Sequence, residues 1–256
     1  MSLEGKDLPT RDYNKYDQEF DALPFERILE KYRLRRLIEI IDEHVSKNLN
    51  NVLEIGPGYN SILRELSVVG ERVIIEPSNQ LFAYNKAMYF GEESVTILNE
   101  EVKEFSSRDP LPEFDLIVLS SVLHEFHDAQ NELLSIVKLL KRGGHVIVVV
   151  PNNESVHRQF GVTLGILAST SSLTDTERLM QQTKSFSIQS IESLMGLIGL
   201  VIQHVTTSFV KPHTHAQMQK WVDDGLLDQE GLENLYKLSH FFHPFNSEIF
   251  LIARKP

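Results

Sequence analysis

Between residues 51 and 150 the chain alternates five short aliphatic runs with segments of helical period, and few folds accept that pattern. The runs fall at 52–55, 72–76, 95–98, 115–119 and 145–150. Each is too short for a helix and too evenly apolar to keep one face in water, so each reads as a strand buried on both faces. Strands of that kind, separated by helices, join as right-handed crossovers in a parallel sheet. The expected core is therefore a doubly wound α/β sheet. Such sheets bind ligands beyond the carboxyl ends of their strands, which directs attention to Gly56, Glu76, Glu101, residues 120–124 and residues 151–158.

The first of these ends carries the densest signal, Asn51-Val52-Leu53-Glu54-Ile55-Gly56-Pro57-Gly58. Glycines at the end of a buried strand let the backbone turn sharply and approach a ligand. An acid about 20 residues on, at the next strand's tip, can bond ribose hydroxyls, and Glu76 lies twenty residues after Gly56. The third glycine of a dinucleotide fingerprint is missing from Gly56-Pro57-Gly58-Tyr59-Asn60-Ser61. A nucleoside without phosphates fits better.

Glu54-x-Gly56-x-Gly58 with Glu76 resembles the first two motifs of class I S-adenosylmethionine-dependent methyltransferases. In chain order, Phe114-Asp115-Leu116-Ile117-Val118-Leu119 resembles the family's fourth strand, and residues 140–150 its helix, turn and fifth strand. The resemblance is firm over residues 50–150 and looser beyond. It implies a Rossmann-like seven-stranded sheet, mostly parallel with an antiparallel last strand, helices on both faces and helical cap insertions. It also implies S-adenosyl-L-methionine as donor, S-adenosyl-L-homocysteine as product, and no metal. On the matching residues, Glu54 would orient the glycine loop, Gly56 and Gly58 would pass the methionine part, and Glu76, followed by Pro77, would accept both ribose hydroxyls. Glu101 would bond the adenine amino group and Val102 would offer its backbone N–H, with Glu100 one register away. Ser120 closes the donor set at the tip of the fourth strand.

The acceptor side is read from the residues after the later strands. Ser120-Ser121-Val122-Leu123-His124-Glu125-Phe126-His127 lacks the Asn-Pro-Pro-Tyr type motif of many amine methyltransferases. A histidine there can take a proton from a hydroxyl near neutral pH, which makes His124 the catalytic candidate and favours oxygen as the methylated atom; the same residue could instead cap the next helix. His124 and His127 are three apart, but the spacing is not His-Glu-x-x-His and no third ligand stands nearby, so no metal is expected. His157, Arg158, Lys211, His213 and His215 follow strands five and six and would suit an anionic or polyhydroxylated acceptor. Tyr16, with Tyr13 and Phe20, could fold over the site as a lid. Methylation at nitrogen, a glycan or natural-product acceptor, and a catalytically silent binding scaffold stand as alternatives.

Composition sets the outer bounds. With 256 residues and 41% hydrophobic content the chain buries one substantial core. A net charge of -11 disfavours nucleic acid, and no apolar run or signal-peptide core points to a membrane, so a cytoplasmic enzyme with a small-molecule acceptor is expected and a homodimer is left open. The absence of cysteine excludes disulfides and thiolate nucleophiles. Lys31, Arg33, Arg35 and Arg36 read as a solvated helix face. Four regions are expected: an N-terminal helical lid (1–47, its first five residues a leader), a donor-binding core (48–150), an inserted helical lid (151–187), and the rest of the sheet (188–256) interrupted by a helical cap (211–247).

Overall fold

The computed structural model describes residues 11–45 and 48–256; the leader at 1–5 lies outside them. Seven strands form one sheet: β1 (Val52–Ile55), β2 (Arg72–Ile75), β3 (Val95–Leu98), β4 (Phe114–Ser120), β5 (Leu140–Pro151), β6 (Val201–Ser208) and β7 (Glu248–Arg254). Their spatial order is β3-β2-β1-β4-β5-β7-β6, parallel from β3 to β5, with β7 antiparallel to both its neighbours. The order reverses between β1 and β4, where the crossovers pass to opposite faces and leave a crevice at the strand ends.

Period-two alternation sorts the strand residues into two cores. Leu53, Ile55, Ile117, Leu119, Val146 and Val148 face α4 (Val102–Phe105), α5 (Ala129–Lys138) and α8 (Ile188–Leu197). Val52, Ile74, Leu116, Val118, Ile147 and Val149 face Leu37, Ile40 and Ile41 of α2 (Pro24–His44). Burial of each such side chain stabilises the fold by roughly 1.5–3 kcal/mol, so two continuous layers dominate its energetics. Proline at the first position of α2 and Glu26 in its first turn favour helix initiation there. Helix α8 ends where Gly199 adopts φ +80°.

Residues 140–144 belong to the start of β5 and not to a helix and turn as the sequence suggests. The ladder to β4 shifts register there, and Gly143 at φ +79° lets the strand bend without leaving the sheet. Before the sheet lies α1 (Tyr13–Asp21); α3 (Asn79–Met88) follows β2. After β5 come α6 (Val156–Thr163) and α7 (Asp175–Leu179). Between β6 and β7 come α9 (His215–Asp223), α10 (Gln229–Lys237) and α11 (Ser239–Phe242). Phe209, Met218, Leu232 and Tyr236 from this stretch pack on Phe25, Leu29 and Tyr32, with Trp221 against the same cluster. The first turns of α2 are thereby enclosed. No helix among the described residues is long and apolar enough to cross a membrane.

Candidate active site

The glycine loop leaves β1 with two residues in the left-handed region, Gly56 at φ +60° and Gly58 at φ +62°. Glu54 fixes the loop from below: its carboxylate accepts from the Ser61 hydroxyl at 2.5 Å and the Ile62 N–H at 3.1 Å. At the tip of β2, Glu76 accepts from the Ser78 N–H at 3.0 Å and from the Gly58 N–H, so both acidic motifs brace one turn. Burial pushes the Glu54 carboxyl up to about 7 and that of Glu76 up to about 8. Asn99 donates to the carbonyls of Glu76 and Pro77 at 3.0 and 3.1 Å and ties β3 to the same corner.

A cavity of about 400 Å³ opens above the loop, walled by Gly56 and Gly58, by Ser120 and His124 after β4, and by residues of α2 and of the segments around α6 and α9. Glu76, Pro77, Glu101 and Val102 do not line it, because α1 crosses the tips of β2 and β3. The Tyr13 hydroxyl donates to Glu101, and the Ser78 hydroxyl donates to Asp17 at 2.8 Å. The donor residues read from the sequence thus divide into a cavity set and a set under the helix.

His124 sits in a 3-10 turn, Leu123–Glu125, and lines the cavity at 3% exposure. Its Nδ1 has no hydrogen-bond partner among the described residues. Burial, with Arg11 and Arg33 nearby, pushes the imidazole down to about 3. It is therefore a neutral hydrogen-bonding group and a weak base, which weakens the general-base expectation. Its neighbour Glu125 pairs with Arg11 at 2.6 Å, whereas His127 is exposed, so the two histidines do not share a face. Among the described residues no three His, Asp or Glu side chains are grouped to hold a metal ion.

The acceptor-side residues are brought together in part. Tyr16, His157, Arg158, Lys211 and His215 line the cavity. Lys211 approaches the His215 ring at 3.4 Å, and His215 Nε2 lies 3.1 Å from Glu26. Burial pushes Lys211 down to about 8 and holds His157 and His215 below the usual imidazole range. His157 Nδ1 lies 3.0 Å from the Ser155 hydroxyl.

Two of these residues depart from expectation. Arg158 braces the inserted segment, donating to the Thr170 carbonyl at 2.6 Å, to Glu177 at 2.7 Å and to the Ser172 carbonyl. His213 lies apart from the cavity, edge-on to Trp221 at 4.6 Å, because it precedes the Thr214 cap of α9 and turns outward.

Sequence reasoning misses the acids and the arginine that α2 contributes. Arg33 is buried, not solvated, and bridges Glu26 at 2.6 Å and Glu248 at 2.5 Å, while Arg35 pairs with Glu39 and Glu233 nearer the surface. Glu26, Glu30 and Arg33 share helical spacing with the buried Phe25 and Leu29, and that coincidence is the available signal.

Sheet order, crevice and glycine turn define a Rossmann-like nucleoside-binding α/β protein. The chain belongs to the methyltransferase-domain family, whose profile matches residues 28–205. It is 29% identical over 112 residues to an uncharacterised methyltransferase of Bacillus cytotoxicus, 43% of this chain; it spans about half (50%) of that relative's length. In structure it is similar to a Haloferax volcanii methyltransferase in complex with the Trm112 activator, with a TM-score of 0.63 and 13% identity over 97% of this chain and 100% of that one. It is also similar to the N-methyltransferase NodS of Bradyrhizobium japonicum in complex with S-adenosyl-L-homocysteine, with a TM-score of 0.55 and 14% identity over 95% and 98%. S-adenosylmethionine is the donor of this class, and the residues present fit it: two left-handed glycines either side of Pro57, space where a Cβ would intrude, and buried acids near the tips of β1 and β2.

Proposed function

We propose that this chain transfers a methyl group from S-adenosylmethionine to an oxygen of a small acceptor whose anionic group sits on Lys211. The charge balance of the cavity supports this. Arg33 and Arg158 are matched by carboxylates, whereas Lys211, only 5% exposed, has no carboxylate within 4.0 Å among the described residues. Glu26, Glu248 and Glu177 favour its charge only from a distance, and an anionic acceptor supplies a direct partner. His157, neutral near pH 7, adds one ring N–H when its Nδ1 accepts from Ser155, whereas the single N–H of neutral His215 is given to Glu26.

When bound, the donor would supply a methyl group to an oxygen lone pair in line, the C–O bond forming as the C–S bond breaks and S-adenosylhomocysteine leaves. Glu54 and the two glycines hold the loop that receives the donor, Glu76, Glu101 and Val102 hold its adenosine end beneath α1, and Ser120 faces it from the cavity wall. Tyr16 and the inserted segment keep water from the acceptor. His124 donates its one ring N–H to the acceptor oxygen and orients it; being weakly basic, it suits an oxygen already ionised, such as a carboxylate or a phenolate. Of the N-terminal lid, residues 11–45, together with residues 151–187, cover the 48–150 core, and residues 211–247 cap the acceptor end. Glu30, Glu125 and Glu177 also line the cavity and favour a second reading, an amine acceptor methylated at nitrogen.

Calorimetry with S-adenosylhomocysteine, followed by a screen of carboxylate, phenolic and amine acceptors, separates these readings. Lys211→Met is expected to raise KM for an anionic acceptor by roughly tenfold or more and to leave product affinity unchanged. Equal loss of both, or turnover confined to amines, would contradict the oxygen reading; donor binding without turnover on any acceptor would favour a scaffold.

A further inference from the structure

Glu30 enters the cavity from α2 beside the glycine loop and is 6% exposed. Its two oxygens differ. Oε2 accepts from Asn60 Nδ2 at 2.9 Å and lies 3.7 Å from Arg27. Oε1 takes part in no hydrogen bond among the described residues, and it lies 3.4 Å from where a Cβ on Gly58 would stand. Burial outweighs the nearby arginines and pushes this carboxyl up to about 7, so a cationic group at Oε1 would relieve it. Glu26, four residues earlier on the same face, is by contrast already engaged by Arg33 and His215.

We propose that Glu30 is a donor-binding residue whose Oε1 takes the α-ammonium of the methionine part of S-adenosylmethionine. The donor carries two cationic centres, and only the ammonium has N–H groups to give; a sulfonium has no hydrogen to donate. A Cβ on Gly58 would come into contact with Oε1 at 3.4 Å, so glycine there leaves that side of the carboxylate open. The proposal rests on the donor class and is independent of the acceptor and the methylated atom.

Calorimetry on the full chain, without acceptor, tests it with four ligands. S-adenosylhomocysteine and its decarboxylated analogue carry the ammonium; the deaminated analogue and 5′-methylthioadenosine do not. Glu30→Gln is expected to weaken the first two by roughly tenfold or more and to leave the last two within about twofold. Equal weakening of all four would reduce Glu30 to a structural part of the loop, and unchanged S-adenosylhomocysteine affinity would remove it from the donor site; either overturns the proposal. If Glu30→Gln does not fold, the unmodified protein decides: it must bind the decarboxylated analogue more tightly than 5′-methylthioadenosine. Equal affinities overturn the proposal, and Glu30→Asp, which draws the charge back, must narrow any gap.

Discussion

Gly56 leaves no room for a methyl group. Its φ of +60° is one that side chains rarely adopt, and a Cβ there would stand 2.6 Å from Val122 Cγ1. Strain and overlap together should cost about 1–3 kcal/mol in Gly56→Ala, and a displaced loop should weaken S-adenosylhomocysteine further. Thermal denaturation and calorimetry check both, and adding Val122→Ala should return part of the stability; no recovery in the double variant would refute the steric account. Gly58 is milder, because its Cβ would meet Glu30 only at 3.4 Å. The glycine pair was legible because its conformation and its residue type are bound together. The contrast between His213 and His215 was not: only the Thr214 cap of α9 turns one ring toward Trp221 and the other toward Glu26.

At the scale of elements, the parallel strands could be read because all but the edge strand β3, whose Thr96 is exposed, are buried on both faces and need no distant information. Helix α2 is the opposite case. Its Glu26, Glu30 and Arg33 resemble a solvated face until residues 209–236 close over its first turns and Glu248 arrives from the last strand, more than two hundred residues on. Helix α1 is a strap of the same origin. Arg11, just before it, pairs with Glu125, stacks on the Tyr16 ring at 4.2 Å and donates to the Met180 carbonyl at 3.1 Å, while Asp12 and Gln181 exchange two hydrogen bonds. One segment therefore fastens the tips of β2 and β3 to the segment that holds Met180 and Gln181. Arg11→Met keeps the packing but leaves Glu125 buried and unpaired, which should cost about 3 kcal/mol. If the strap gates the donor, the variant should also release S-adenosylhomocysteine several-fold faster in a competition experiment. A fall in melting temperature with an unchanged release rate would make the contact purely structural.

Across the whole molecule, the buried titratable groups fall into opposed sets that give stability a shape against pH. The carboxyls of Glu30 and Glu54, each pushed up to about 7, and of Glu76, up to about 8, bind more protons folded than unfolded. Their contribution is complete below the unfolded value of 4.5 and is lost as pH rises through 7 to 8. His124, pushed down to about 3, and the lowered His157 and His215 bind fewer protons folded, so their effect is loss of stability as pH falls below 6.5. Lys211, down to about 8 from 10.5, likewise binds fewer protons folded, and stability rises with pH between those values. From pH 6.5 to 8 the three carboxyls carry the larger change and act in one direction, against the end of the histidine titration at the lower limit and the onset of that of Lys211 at the upper. The unliganded protein should therefore melt at progressively lower temperature across that interval and recover above it as Lys211 titrates. Glu76→Gln removes the highest of the three carboxyl values and should flatten the fall, with its largest effect near pH 8. Melting curves taken at constant ionic strength decide the matter: a profile rising from pH 6.5 to 8, or one that Glu76→Gln leaves unchanged, would mean that the strand-tip acids are ionised in the folded protein and paired by some other group.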